Sequence, residues 1–499
     1  MDCAFLVPYP QRLRAGKARF ARPREFRLSA PAAAAATSAA LVRDLAALAG
    51  VRLSARAPFR IALSLAPGAA RPEGYRLTLD GAGARVAASD QAGLYYGTQT
   101  LLQLLVLGEA KALRPVQIAD WPEFPTRSFM VDLGRSVFTV AMLRRLVRIL
   151  ARLKMNTLHL HLADDELCGL RFRKLPLGRE NPGAISLAEL AALVRYARGF
   201  HVGILPEFEC WGHAGAAIYH FPELYGAPGM WGGMSFGIGE PTFALFEKVF
   251  DELLPALERD CAVHVGLDEA EWHLLPSVPE SERAKYTPTA LVGRIHGLLL
   301  RAGRRHGRRV TMHLWADHGG RPLPAGLERQ VVIQPWNYDR RHEPTIRRKM
   351  RRYAGAGKPP MMMGAGMSSV AFGGSFAATR QWCRLGAGKP NVRGVTICHW
   401  CDNDLAERLL GLYAGADYAW SPATPKDRPD DPYDEKLRGE LGALMRKWQA
   451  AFRDADDEAI RRDRGPQVFC GHYSWGARAG RPVAPTVEFA RPQAGGALE

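Results

Sequence analysis

The sequence predicts an α/β protein, a (β/α)8 TIM barrel preceded by a small α/β N-terminal domain. Two observations predict it. Between 127 and 421, eight short apolar runs alternate with helical stretches, the number of strands a closed barrel of this kind needs. Polar and aromatic residues recur at the C-terminal end of seven of the eight runs, where core packing alone selects Val, Ile and Leu and where such barrels build their sites. A doubly wound parallel sheet is the competing arrangement.

The N-terminal domain covers 1–118. Alternating apolar residues predict strands over 8–10, 26–28, 59–65 and 74–79, the last entering an Asp80-Gly81 turn before a strand over 84–88. Helices are predicted over 40–49 and over 93–106, where Tyr96, Leu101, Leu102 and Leu105 share one side. Residues 119–126 form a linker, because Pro122 and Pro125 exclude helix. In the barrel, 127–421, strands are predicted over 129–133, 157–162, 202–206, 262–266, 310–315, 331–336, 361–363 and 392–398. The clearest helices fall over 141–153, 187–200, 242–258, 290–306 and 406–420. The remainder, 422–499, holds a charged, proline-bearing segment and a helix over 435–457 with Leu437, Leu441, Leu444 and Trp448 on one face. It ends in a Pro-, Gly- and Ala-rich tail from 477 whose composition predicts flexibility.

Composition narrows the function classes. Apolar content of 47% and charged content of 23% are those of a soluble globular chain able to bury a large core. No basic leader precedes the short apolar run at the N-terminus, and Arg43 and Asp44 interrupt the only alanine-rich stretch, so neither secretion nor membrane insertion is expected. Eight scattered cysteines make no disulfide framework and predict a cytoplasmic setting. Cys398-His399-Trp400-Cys401 has redox or half-zinc-site spacing, but no second pair completes it. The net charge of +17 gathers partly in Arg301, Arg304, Arg305, Arg308 and Arg309 and in Arg340 to Arg352. These clusters lack interleaved aromatics, so compositional bias explains them better than a nucleic-acid partner does.

The strand ends carry the chemistry. The first run delivers Asp132 and, just beyond, Arg135; the second His159, His161, Asp164 and Asp165; the third Glu207, Glu209 and then His213. The fourth, Val263-His264-Val265-Gly266, leads into the adjacent carboxylates Asp268 and Glu269. The fifth gives Trp315 and Asp317, the sixth Trp336 and Tyr338, the eighth Trp400 and Asp402, whereas the seventh offers only Met, Gly and Ser. Paired carboxyls, one guanidinium and several indoles are what a saccharide needs, since apolar sugar faces stack on indoles and hydroxyls take charge-assisted hydrogen bonds. The competing chemistry is metal-dependent hydrolysis. His159 and His161 share one face of a strand and could hold a divalent ion with His213 and Asp317. Against it, a histidine inside a barrel is more often a satisfied core residue.

These residues also resemble a known family. Glu73-Gly74-Tyr75-Arg76-Leu77 and the stretch from Gly93 to Leu105 are similar to the small N-terminal domain of the glycoside hydrolase family 20 β-N-acetylhexosaminidases. Asp132-Leu133-Gly134-Arg135, the stretch from Lys154 to Asp165, and Pro206-Glu207-Phe208-Glu209-Cys210-Trp211-Gly212-His213 resemble its first three strand motifs, and His264-Val265-Gly266-Leu267-Asp268-Glu269 its catalytic strand. The resemblance implies exo-acting, retaining removal of terminal N-acetylglucosamine or N-acetylgalactosamine by substrate-assisted catalysis through an oxazolinium, with no metal and no cofactor. It implies Glu269 as general acid and base, Asp268 as partner of the acetamido group, and Asp164 with His213 as a relay tuning Glu269. It further implies Arg135 and Asp402 on hydroxyls, and Trp315, Trp336 and Trp400 as pocket walls. The expected partner is a terminal N-acetylhexosamine of an oligosaccharide or glycoconjugate, and the C-terminal helix is expected to pack back on the barrel or on a second subunit, as in a homodimer; a sugar-binding barrel without catalysis is the other reading.

Four positions depart from the family pattern. Leu267 replaces a small residue, Trp211 a proline, and Asp402 a glutamate. The Tyr-x-Asp that usually ends strand seven is absent, with Met363-Gly364-Ala365-Gly366-Met367 in its place, so Tyr338 and Asp317 become the candidates to grip the acetamide.

Overall fold

In the computed structural model the eight runs close into one barrel. The structure describes residues 3–68, 70–108, 113–229, 233–270, 272–317, 323–324, 326–338, 343–367, 376–401, 409–422, 435–454, 457 and 460. Asp402, the segment over 426–432 and the tail from 477 therefore lie outside the described residues.

The barrel strands are β1 (Thr126–Asp132), β2 (Thr157–His161), β3 (Gly203–Glu207), β4 (Asp260–His264), β5 (Arg309–Trp315), β6 (Val331–Gln334), β7 (Met361–Met367) and β8 (Val392–His399). All pair in parallel and in chain order, and β8 returns to β1. Across the seam from β6 to β7, Ile333 opposes Met361 and the pairing resumes with Trp336 and Asn337 against Gly364 and Ala365. A ring closed by hydrogen bonds excludes the doubly wound sheet. Alternation then sorts the side chains. Leu158, Leu160, Val263, Leu314 and Ile397 face outward and are fully buried beneath the helices, whereas His159, His161, Glu207, His264 and Trp315 share the interior.

The strand expected over 8–10 does not form, since Pro8 and Pro10 have no N–H to pair, and several boundaries shift, two of them for reasons that bear on the site. The helix expected to reach 258 ends at Leu253 because Pro255 follows; a single 3-10 turn, Leu254–Ala256, finishes it. Strand β4 stops at His264, two residues early, because Gly266, Leu267 and Glu269 adopt positive φ of 65°, 77° and 44°. The two carboxylates therefore ride on a tight left-handed turn beyond the strand.

The N-terminal domain is a seven-stranded mixed sheet, in the order Arg12–Ala15, Val116–Asp120, Tyr75–Leu79, Gly83–Ala88, Arg60–Leu65, Glu25–Ser29 and Arg52–Leu53. The helix Gln91–Leu107 packs on it, capped by Asp90, which accepts from Gly93 N. A buried polar knot joins this domain to the barrel. Asp120 accepts from Tyr75 Oη (2.5 Å), Trp420 Nε1 (2.7 Å) and Lys154 Nζ (2.9 Å), and both charged partners are fully buried. The Lys154 ammonium also lies 4.7 Å from the Trp420 ring centroid. Beside it the buried Arg127 guanidinium reaches Glu73 Oε2 (2.6 Å) and the Phe124 carbonyl (2.7 Å). The C-terminal helix Glu435–Ala451 docks through Trp448, edge-on to Tyr413.

Because the Asp120–Lys154 pair has no water to fall back on, removing one partner leaves an uncompensated buried charge. Lys154→Met is expected to lower stability by about 3–5 kcal/mol in urea unfolding. A loss below about 1 kcal/mol, the range of an exposed pair, would show that the knot does not hold the domains together.

Candidate active site

At the C-terminal mouth of the barrel a chain of acids and imidazoles runs inward from the turn that follows β4. Its inner end is Glu207, the last residue of β3, which has no exposed surface. Glu207 Oε1 accepts from Trp315 Nε1 (2.6 Å) and lies 2.8 Å from His264 Nδ1. Its Oε2 is 2.8 Å from His161 Nδ1 and 3.0 Å from His159 Nε2, the latter without an aligned hydrogen bond. Burial raises the Glu207 pKa, but the surrounding imidazoles outweigh it and hold the carboxyl well below its usual range.

From Glu207 the chain continues outward. His161 Nε2 lies 2.8 Å from Asp164 Oδ2, and Asp164 Oδ1 lies 3.2 Å from His213 Nδ1. His213 Nε2 then faces both carboxylates of the turn, Asp268 Oδ2 at 3.7 Å and Glu269 Oε2 at 3.5 Å. Burial alone would discharge these histidines. Glu207 and Asp164 around His161, and Asp164, Asp165 and Glu269 around His213, outweigh it and raise both well above the usual imidazole range. Asp164 is held well below the carboxylate range, burial being overcome by Arg135 and His213. The relay is thus an alternation of fixed charges: carboxylate, imidazolium, carboxylate, imidazolium.

Asp268 ends this series differently. Burial, the dominant cause, pushes its carboxyl up to about 6, with Glu207, Asp317 and Glu269 adding repulsion and His213 opposing. Its Oδ1 is buried without a hydrogen-bond partner among the described residues. The Asp268 and Glu269 side chains keep 13% and 19% of their surface, the more open end of an otherwise closed chain.

Glu209 supports the turn from beneath. It is fully desolvated, accepts from Leu267 N at 3.3 Å, and is raised well above its usual range by burial first and then by Asp268 and Glu207. It is therefore a neutral acid. A Cβ on Gly266 would collide with its carboxyl group, so the glycine serves both the positive φ and the close approach. Leu267 is buried, and Trp211, at the position where the family motif has proline, meets Trp272 edge-on at 6.1 Å.

The remaining predicted residues divide into two groups. Trp336, Tyr338 and Trp400 pack on Met130, Trp315 and Cys398 as one cluster at the barrel mouth. Trp336 donates through Nε1 to Asp317 Oδ2 (2.6 Å) and stacks on Tyr338 at 5.2 Å; Trp400 Nε1 donates to the Tyr338 hydroxyl (3.1 Å). Trp315 is 1% exposed, so it is the floor of this cluster and not a wall. Arg135 lies apart. Its Nη1 binds Asp132 (3.2 Å), its Nη2 binds Asp164 (2.6 Å), and its guanidinium sits 5.4 Å from the Trp400 ring centroid. Near its Nε, at 3.4 Å, Glu166 is pushed up to about 8, chiefly by burial. The structure thus spends most of Arg135 on holding the relay.

Strand seven gains a physical reason for its missing side chain. A Cβ on Gly364 would lie 2.6 Å from Trp336 Cβ and 3.1 Å from Trp315 Cζ3. The metal alternative of His159, His161, His213 and Asp317 is not assembled. Both ring nitrogens of His161 sit 2.8 Å from carboxylates, and Asp317 belongs to none of the tight ligand sets among the described residues, which centre on Glu207 and Asp164. The sequence places Glu207 among the strand-end residues and His264 in the catalytic-strand motif but assigns neither a role, and Glu166 is not marked by it at all. Equal spacing of His159-x-His161 and Glu207-x-Glu209 on neighbouring strands was the available signal, since Glu207 pairs in register with His161.

Comparison with known proteins gives two matching family models, "Glycosyl hydrolase family 20, domain 2" over residues 4–121 and "Glycosyl hydrolase family 20, catalytic domain" over 124–352. The second ends before β7, where the sequence departs from the motif. A beta-hexosaminidase of Porphyromonas gingivalis is 30% identical over 228 residues, covering 40% of this chain and 29% of the relative. A beta-N-acetylhexosaminidase of Cellulomonas fimi is 28% identical over 288 residues, 53% of each chain. The matched stretch thus spans about half, or less, of these relatives. In shape, the GH20 beta-N-acetylhexosaminidase of Streptomyces coelicolor A3(2) superposes with a TM-score of 0.68 at 23% identity, covering 91% of this chain and 98% of that one. The chitobiase of Flavobacterium johnsoniae gives 0.70 at 19%, over 90% and 73%.

The two buried glutamates make opposite predictions. Glu209→Gln, which mimics the neutral acid, is expected to stay within about 1 kcal/mol of the native protein near pH 4, whereas Glu207→Gln strands the imidazolium of His161 and costs about 3–5 kcal/mol at neutral pH. The sign with pH follows. Because the folded pKa of Glu209 is raised, its stability contribution is full below about pH 4.3, the unfolded value, and is lost as pH rises. Urea midpoints should therefore move in favour of Glu209→Gln as pH rises; movement the other way would mean that Glu209 is ionised in the fold.

Proposed function

We propose, from the premise that this chain belongs to glycoside hydrolase family 20, that it is an exo-acting β-N-acetylhexosaminidase removing terminal β-linked N-acetylglucosamine or N-acetylgalactosamine with retention. The observation that carries the reading is the pair of adjacent carboxylates, Asp268 and Glu269, both directed at the charged ring of His213 and both still partly accessible. Glu269 gives its proton to the leaving oxygen, the substrate's own acetamido oxygen closes on the anomeric carbon to form an oxazolinium, and Glu269 then takes a proton from the water that opens it. Asp268 holds the acetamido N–H and offsets the positive charge that develops in the ring. Its single unpartnered buried oxygen supports that role.

The rest of the site positions these two groups. His213, fixed by Asp164, keeps a positive charge beside both carboxylates, which favours ionised Asp268 and the ionised Glu269 left after its proton is given up. Trp336, Trp400, Tyr338 and Asp317 supply an indole surface and polar groups for the sugar ring and its acetamide, and Asp402 takes a hydroxyl. The seven free cysteines among the described residues support a reducing, cytoplasmic setting. A sugar-binding barrel without turnover is the second reading, favoured by the absence of the usual Tyr-x-Asp from β7.

Hydrolysis of an aryl N-acetyl-β-glucosaminide separates the two. Turnover that falls by about 10²–10⁴-fold in Glu269→Gln supports the enzyme, and a thiazoline mimic of the oxazolinium should inhibit it far more tightly than the product binds. Binding of N-acetylglucosamine without turnover supports the second reading, and unchanged turnover in Glu269→Gln removes the acid assignment. Because Asp268 must be ionised and its carboxyl is pushed up to about 6, kcat/KM should fall as pH drops through about 6. A profile flat from about pH 4.5 to 7 would exclude Asp268 as the ionised partner.

A further inference from the structure

The other end of the barrel is open. A cavity of about 510 Å³ enters from the N-terminal face and is lined inside the barrel by Ser128, Thr157, Leu205, Thr311, His313 and Met362. In most barrels of this type branched apolar side chains fill these layers. Here Thr311 is exposed and His313 half-buried, although both point inward from the middle of a strand. Above the cavity lies a layer of polar groups. Ser128 Oγ, His159 Nδ1, His264 Nε2, His313 Nδ1, both amide atoms of Gln334 and Thr396 Oγ1 are all buried without a hydrogen-bond partner among the described residues.

Unpartnered polar atoms in such number are rare in protein interiors unless water reaches them, and a cavity of this size with Ser128, Thr157, Thr311 and His313 in its lining admits water. The ring of His313 stands 6.4 Å from that of His264, and His264 Nδ1 is 2.8 Å from Glu207, the inner end of the relay. We propose that this well is a second solvent entrance, through which protons exchange between bulk water and the Glu207–His161–Asp164–His213 relay while a sugar closes the mouth above. Water in the well and the imidazoles of His313 and His264 hand the proton on, each ring taking one at one nitrogen as it releases one at the other. Burial keeps His313 neutral, its pKa pushed down to about 3 by desolvation and then by His264 and His159, so no charge rests on it between transfers. The well stands on geometry alone; only the ligand used to close the mouth rests on the hexosaminidase reading.

The test is solvent exchange of the downfield imidazolium N–H protons of His161 and His213, followed by NMR on the full chain with and without the thiazoline. Exchange is expected to persist with the inhibitor bound, and to slow by about ten-fold in Thr311→Trp, which fills the well, only in that bound state. Exchange that stops when the inhibitor binds the native protein, or that Thr311→Trp leaves unchanged in the bound state, overturns the second entrance. An inhibitor that shifts no imidazolium resonance speaks against the hexosaminidase reading instead, and the well is then judged by labelling. In a Cys261→Ser background, His313→Cys should react with a small cationic methanethiosulfonate, and a folded but unreactive His313→Cys protein overturns the proposal.

Discussion

One buried carboxylate organises the barrel interior. Glu207 has no water contact, and an ionised carboxyl in that position survives only when each oxygen is met by donors. The indole of Trp315 and the imidazole of His161 meet them, with His264 and His159 alongside, so β2, β3, β4 and β5 are tied through a single residue. The charge state follows from the same contacts. An anionic Glu207 makes His161 a cation, a cationic His161 helps to hold Asp164 as an anion, and Asp164 in turn charges His213. The electrostatics at the mouth are therefore set from the centre of the barrel.

The second constraint is the turn after β4. Four positive or near-positive choices meet there: Gly266, Leu267 and Glu269 in the left-handed region, and His213 facing them at φ 48°. Non-glycine residues adopt such angles at a cost of order 1–3 kcal/mol each, and only where their surroundings dictate it. Glu209 is the neutral acid that receives the Leu267 amide, and the burial of Leu267 anchors the turn from the other side. Strain of this kind fixes where Asp268 and Glu269 point.

Periodicity narrowed the fold to a barrel or a doubly wound sheet, because eight apolar runs alternating with helical stretches have few ways to bury both faces of a parallel sheet. The recurrence of polar residues at the strand ends favoured the barrel and marked the end where the structure gathers its acids and imidazoles. What the sequence hid were consequences of tertiary pairing. Lys154 reads as an ordinary loop lysine until Val116–Asp120 and Trp420 are placed beside it. The neutral state of Glu209 depends on Asp268 and Glu207, which lie 59 and 2 positions away along the chain and meet it only in the fold. The tryptophans illustrate the same limit. Three indoles at strand ends look equivalent in sequence, yet Trp315 is consumed by Glu207 while Trp336 and Trp400 keep some surface.

The absent motif on strand seven is best understood through those tryptophans. Gly364 is not a loss at one position but half of a packing solution, since any side chain there would strike Trp315 and Trp336 together. With β7 reduced to backbone, the polar groups that face the sugar must come from neighbouring strand ends. Asp317 and Tyr338 stand there, each already oriented by an indole N–H, from Trp336 and Trp400 respectively. An oriented acceptor that is partly desolvated interacts more strongly with a ligand's N–H or O–H than a mobile one in water, because its ordering cost is met before binding. On the proposed reading, the acetamide is therefore gripped by groups that the indoles hold in place, and a change of Trp336 acts on the sugar through Asp317 as much as through its own ring.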